Sequence, residues 1–257
     1  MNVECLNSFV KSAKLANKPF EIILVESSNE ADYTYNEDVK VLKPNTVFNF
    51  HKFANIGLRA AKGDYFIFSN NDVVFDKNCL VEFFKVINNN KNIKSFSPYD
   101  ARSNKLPKAK INTESHILGF EIQKHITGWC IVMHKDVYKI IKELDERFDF
   151  YYADNDYAMQ LQKYNIKHAL VTKAYVEHLE AQSTLKDVVE TNFKLPENTP
   201  KYIIEEQWTW VLSNEKMING LIAFHKKWGS RKLIKMKLFL AKNCSNLGLG
   251  YLNRYIV

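Results

Sequence analysis

The residues of this chain with the most chemical potential are carboxylates placed where apolar runs end. Asp72 follows the run Tyr65-Phe66-Ile67-Phe68 and the polar triplet Ser69-Asn70-Asn71. A hard divalent cation takes oxygen ligands, so a carboxylate at a strand end, completed by phosphate oxygens and water, is a candidate site for one. The same Asn-Asn-Asp triplet also starts turns and caps helices. Asp154 and Asp156 flank Asn155 just before an amphipathic stretch. Aspartate at that place caps a helix and favours its dipole. It can equally serve as a general base, because a helix N-terminus keeps a carboxylate ionised near neutral pH. His178 is either a ligand or a core histidine with a satisfied ring. Asn55 lies within an otherwise apolar helix and is a buried amide in need of a partner.

These residues need elements to hold them. Phe20 to Val25 is a β-branched run of the kind seen in buried strands, and it opens into Glu26-Ser27-Ser28-Asn29. Val39 to Leu42 reads as a second strand, His51 to Ala61 as a helix, and Tyr65 to Phe68 as a strand ending at Asp72. Leu80, Phe83, Phe84 and Ile87 have the spacing of one helix face. Strands alternating with helices predict a parallel α/β sheet over the first ~100 residues. Ligands sit beyond the carboxyl ends of such strands, where Glu26 to Asn29 and Asn70 to Asp72 both fall. Tyr99 to Thr127 reads as a long loop region with short strands that could act as a lid. Trp129 to Met133 and Lys167 to Thr172 read as further strands. Beyond residue ~200 the pattern is helical, with Met217, Leu221, Phe224 and Trp228 as one stripe.

Composition removes several classes. With 17 Phe, 13 Tyr and 4 Trp in 257 residues the chain carries too much apolar surface to stay disordered. No run approaches the ~18–20 apolar residues of a spanning helix, and the N-terminus has no leader pattern, so a soluble, cytoplasmic protein, at most attached to a membrane, is expected. Four cysteines without a CxxC pair argue against a zinc site or a disulfide scaffold. GxGxxG, Walker, GxSxG and HExxH motifs are all absent from the sequence. Net charge is +7, but residues 216–257 carry nine basic and no acidic groups. The other 215 residues carry 27 basic and 29 acidic ones, or −2. A basic segment suits an anionic partner, and the apolar residues among its lysines favour a membrane surface or subunit docking over a loose basic arm.

The order of these features resembles family 2 glycosyltransferases of the GT-A fold. The segment from Asn49 through Ala54-Asn55-Ile56-Gly57, Ala61-Lys62-Gly63-Asp64-Tyr65 and Phe68-Ser69-Asn70-Asn71-Asp72 follows that family's "N…AxNxGxxxAxGxYxxFxNND" pattern. Thr127-Gly128-Trp129-Cys130, Leu144-Asp145-Glu146-Arg147-Phe148, Asp154-Asn155-Asp156, and His178 with Ser183 stand at its later elements. The resemblance covers residues 20–185. It implies a GT-A domain over residues 1–200 and a basic helical extension over 201–257.

By position, the resemblance implies that Glu26 and Ser28 border the nucleotide base and Asn55 supports the donor pocket. Asn70 and Asn71 would lie near ribose and sugar, with Asp156 also on the donor side. Gly128 and Trp129 would border the donor sugar and acceptor. Asp72, with His178, would hold Mn2+ or Mg2+ on the diphosphate, and Asp154 would be the base of an inverting transfer. The implied donor is a UDP-sugar and the implied acceptor a surface or capsular glycan or a lipid-linked saccharide. Residues 216–257 would rest on an anionic membrane or mediate self-association. A nucleic-acid acceptor, and a domain that binds without turnover, are the alternative readings. The chain departs from the family pattern in three places. Only nineteen residues precede Phe20 where the family has a first strand, so either the true start lies upstream or the sheet lacks that strand. Ala153 replaces an acidic residue, and Asn70-Asn71-Asp72 has a single carboxylate.

Overall fold

The computed structural model describes residues 2–27, 38–179 and 215–257, together with residues 197, 199, 201 and 205. Ser28 and Ser183 lie outside the described residues. The chain divides into two compact units: Met1–Phe48, Phe53–Leu144 and Ile166–Glu180 form the first, and Asn49–Lys52, Asp145–Asn165 and Ala181–Val257 the second.

The first unit opens with α1 (Asn2–Leu15), then β1 (Ile22–Val25) and β2 (Val39–Leu42). The helix α2 (Phe50–Ala60) gives its first turn to the second unit and the rest to the first. Next come β3 (Tyr65–Ser69), β4 (Val73–Phe75), α3 (Cys79–Asn89) and β5 (Ile93–Tyr99). The short helix α4 (Lys108–Thr113), β6 (His116–Leu118), β7 (Cys130–His134) and α5 (Lys135–Ile141) follow, and β8 (Lys167–His178) completes the unit.

The strands form a mixed sheet in the order β3-β7-β5-β8-β4, with β6 also on β8, and a separate parallel pair β1-β2. This differs from a fully parallel sheet. In the larger sheet β7 runs antiparallel to both β3 and β5, and only β5 and β8 are parallel. The element order begins with a helix, and β1-β2 stays apart from β3. Between Tyr99 and Thr127 the chain is more ordered than its polarity suggests, because α4 and β6 both pack on β8.

One face of the sheet is covered by α1 and α3, whose Cys5, Ala13, Leu80, Phe83 and Ile87 join Val73, Phe96, Val132 and Val171 in the main core. The predicted α3 face is thus the buried one. Edge strands expose unpaired N–H groups, and α1 answers part of that need with side chains. Phe75 N–H donates to Ser8 Oγ, and in the first turn of α3 the Leu80 N–H, which has no partner within the helix, donates to the buried Ser12 Oγ, both at 3.0 Å.

In the second unit, α6 (Ala153–Lys163) packs with α7 (Glu215–Trp228) and α8 (Arg231–Asn246), and α9 (Asn253–Ile256) ends the chain. Its core joins Phe148, Ala153, Met159, Phe224, Trp228 and Ala241. Of the expected stripe, Leu221, Phe224 and Trp228 are buried and Met217 is half-buried.

Candidate active site

In the first unit the register of the sheet gathers distant residues. Because Ser69 faces Cys130 and Val73 faces His178, the Asn70–Asp72 turn is bracketed by the ends of β7 and β8. Asn70 N–H donates to the Trp129 carbonyl at 2.8 Å, and Leu179 N–H donates to the Asp72 carbonyl at 2.9 Å. The Trp129 indole stacks on the His178 ring, with centroids 4.9 Å apart and 14° between planes. Gly128 lies in the turn that Thr127 secures through its hydroxyl to the Cys130 carbonyl at 3.1 Å. Asn70, Asn71, Asp72, Gly128, Trp129 and His178, spread over more than a hundred positions of sequence, therefore form one cluster.

The cluster contains an unmet need. Asp72 is buried at 8% exposure, and its Oδ1 lies 3.4 Å from His178 Nε2. Among the described residues neither Asp72 Oδ1 nor His178 Nδ1 has a hydrogen-bond partner. A buried carboxylate oxygen left this way costs free energy unless something binds it. An aspartate oxygen suits Mn2+ or Mg2+, and an imidazole nitrogen beside it favours the transition ion Mn2+ over Mg2+, leaving positions for phosphate oxygens. Among the described residues no cluster of three or more His, Cys, Asp or Glu could hold a metal by itself. The donor set thus fits a cation that is shared with a phosphate-bearing ligand.

No spacing or residue pattern marks the groups around this cluster. Arg102 sits in the polar stretch after β5, yet its Nη2 donates to the His178 carbonyl at 2.9 Å and to Glu177 Oε1 at 3.0 Å. Asn71 Nδ2 donates to Asn2 Oδ1 of α1 at 2.6 Å. Cys5 donates to the Asn70 carbonyl, and burial raises its thiol to about 11, so it stays protonated and inert.

Asn55 and Glu26 stand elsewhere in the first unit. The Asn55 amide is fully buried and imitates a backbone pair: Nδ2 donates to the Leu144 carbonyl and Oδ1 accepts from Leu144 N–H, both at 2.9 Å. Glu26 follows β1, half-buried, with its N–H donating to the Leu42 carbonyl at 2.9 Å. It lies where β1 and β2 both end, since the two strands are parallel.

Asp154 and Asp156 belong to the second unit, in the first turn of α6. Neither is the N-cap. That place is taken by Tyr152, held in the left-handed region at φ 66°, ψ 6°. A bulky residue there costs roughly 1–2 kcal/mol, and such strain gathers at functional sites. The turn is held by a close approach of α7. A Cβ on Gly220 would lie 2.6 Å from the Tyr151 carbonyl oxygen, so only glycine fits.

The two aspartates have different surroundings. Asp154 Oδ1 accepts from Asn155 N–H at 2.8 Å, and no charged side chain neighbours it among the described residues; burial raises its carboxyl above the ordinary value. Asp156 is 1% exposed and fully engaged: Lys227 Nζ lies 2.7 Å and Trp228 Nε1 2.8 Å from its Oδ1. Lys227 also reaches Asp145 Oδ2 at 2.8 Å. Burial pushes Asp145 up, but hydrogen bonds from Arg147 and Lys227 outweigh it and hold the carboxyl well below the carboxylate range. Lys227 thus ties the end of α7 to the turn that carries Asp154. Lys227→Met leaves the buried Asp156 without its cation, while Asp145 keeps Arg147, and the expected loss is about 3–5 kcal/mol, read by denaturant unfolding of the full chain. A loss under about 1 kcal/mol, the level of an exposed pair, would show that the network does not hold this turn.

Comparison with known proteins fits this architecture. The sequence model of glycosyl transferase family 2 matches residues 3–142, more than half of the chain, ending before Asp154 and His178. No curated protein sequence matches. Among solved structures, S. aureus TarS 1-349 superposes with a TM-score of 0.50 at 17% identity, covering 68% of this chain and 55% of that one. A second structure of S. aureus TarS gives a TM-score of 0.50 at 17% identity over 69% of this chain and 34% of that one. The chain therefore spans about half, or a third, of those structures, and at such identity the likeness speaks for the GT-A fold alone. The chain belongs to glycosyl transferase family 2.

Proposed function

We propose that this chain is an inverting, metal-dependent glycosyltransferase that moves a sugar from a nucleotide-sugar, a UDP-sugar, to a hydroxyl acceptor. The acceptor we infer is a surface or capsular glycan or a lipid-linked saccharide, reached by an enzyme working peripherally at the inner face of a membrane. The observation that carries the reading is the buried Asp72 oxygen beside His178 Nε2, an oxygen with no hydrogen-bond partner among the described residues. Family membership supplies the reaction class.

Asp72 and His178 would hold Mn2+ or Mg2+, which when bound offsets the charge that develops on the departing diphosphate. Trp129, fixed by its stack on His178, offers an apolar wall to the sugar, with Gly128 leaving room beside it. Asn70 and Asn71 present amide groups to ribose and sugar hydroxyls. Glu26 and Ser28 border the base, while Asn55 and Asp156 support the donor side from within the fold. Asp154 takes the proton of the acceptor hydroxyl as its oxygen attacks the anomeric carbon. The bond from that carbon to the diphosphate breaks, and configuration inverts. A base needs a carboxylate poised for proton transfer; burial raises both carboxyls, and Asp154 suits the task better because Asp156 is held by Lys227 and Trp228.

The test is slow donor hydrolysis, which needs no knowledge of the acceptor. The full chain with Mn2+ is expected to release UDP from one member of a panel of α-linked UDP-sugars, the β-anomer of the free sugar appearing first by proton NMR. Release of the α-anomer first, or no release from any member, would count against the proposal.

A further inference from the structure

The second unit carries a surface that the transfer reaction does not use. The inner side of α8 is settled, because Ile234, Leu238 and Ala241 pack with Phe224 and Trp228 in its core. The opposite side is apolar as well. Met236, Phe239 and Leu240 point outward from α8, at 53%, 66% and 44% exposure. Beyond the helix, Leu247, Tyr251 and Tyr255 are exposed at 75%, 62% and 73%. At 100° per residue the α8 side chains form a ridge, with Lys232 on it and Lys235 and Lys242 along one flank, all exposed. No helix among the described residues is long and apolar enough to cross a membrane, so the ridge is not part of a spanning segment.

We propose that this face of α8 is a docking surface for an anionic lipid bilayer. The occupant follows from two properties together. An interfacial helix inserts apolar side chains into the headgroup boundary while its lysines meet lipid phosphates. From residue 216 to the end there are nine basic and no acidic residues, so a second copy of this face would bring like charge against like. A nucleic acid would satisfy the lysines but has no use for Met236, Phe239 and Leu240. The proposal deepens the peripheral membrane placement inferred above and rests on that part of it, not on the donor chemistry.

The experiment is co-sedimentation of the full chain with vesicles of phosphatidylcholine alone or mixed in equal parts with phosphatidylglycerol. Binding is expected only to the anionic vesicles and is expected to weaken as salt rises. Two variants separate the contributions: Lys232→Glu with Lys235→Glu and Lys242→Glu, and Phe239→Ser with Leu240→Ser. Each should reduce binding by about tenfold or more, with the circular dichroism and thermal midpoint of the parent. UDP titration of the same variants reads the donor site separately and should be unchanged. No vesicle binding, equal binding to neutral vesicles, or variants that bind like the parent would overturn the proposal. A concentration-dependent dimer, abolished by the Phe239 and Leu240 changes, would give the face to a second copy and overturn it too.

Discussion

Asp154→Asn is expected to bind nucleotide like the parent and to lose transfer by about a hundredfold to ten-thousandfold, the usual contribution of a general base. The substitution keeps size and hydrogen-bonding capacity, and Asp154 has no ion pair among the described residues, so the fold should survive it. pH dependence gives a second signature. Burial raises the Asp154 carboxyl above its ordinary 3.8, and only the ionised form can accept the proton. Turnover should therefore rise with pH through a midpoint above 3.8 and fall as acid protonates the group. The variant's residual rate should lack that limb. Retained transfer with a marked loss of thermal stability would instead assign Asp154 to holding the α6 turn.

The second large effect is expected at Asp72. Asp72→Ala removes the buried oxygen that lacks a hydrogen-bond partner among the described residues, along with the cation it would share with a diphosphate. Mn2+-dependent UDP affinity should fall by about tenfold to a hundredfold or more, of the size seen when groups around a metal are removed. Stability should change little or improve, because an unsatisfied buried carboxylate is itself a cost. Unchanged Mn2+-dependent affinity would remove Asp72 from the metal role. A large loss of stability would mean that the carboxylate serves the fold instead.

Different parts of this molecule were legible in the sequence for different physical reasons. The Tyr65–Phe68 run closing in Asn70-Asn71-Asp72 was readable because a buried strand is apolar and its end is polar. The α3 face was readable because helical spacing repeats. The β4 strand was not, since three residues carry no period. Nor was β5, where Ser95, Ser97 and Pro98 interrupt the apolar pattern. The structure places these serines inside and satisfies them: Ser95 Oγ pairs with His168 Nδ1 at 2.8 Å, and Ser97 Oγ accepts from Thr127 N–H at 3.2 Å. The antiparallel placement of β7 beside β3 had no local signal, because no tight turn joins them.

The candidate site shows the same limit. Asp72, Asp154 and His178 could be singled out by residue type and by the family resemblance. What holds them could not. The stack of Trp129 on His178 and the reach of Arg102 to the His178 carbonyl depend on strand register. The bond from Trp228 to Asp156 spans 72 positions, and the close approach of Gly220 to Tyr151 is likewise long-range. Such partners are chosen by packing, which no spacing rule encodes. The basic character of residues 216–257 was plain from composition, but which side chains of α8 face outward required the packing of Ile234, Leu238 and Ala241.

Calorimetric titration of the full chain with UDP, GDP and CDP, each with and without Mn2+, is the decisive measurement of a metal-linked donor site. UDP is expected to bind in the presence of Mn2+, with at least about tenfold weaker binding in its absence, as when a cation links protein to phosphate, and the other two nucleotides more weakly. Failure of all three nucleotides to bind under either condition would contradict such a site.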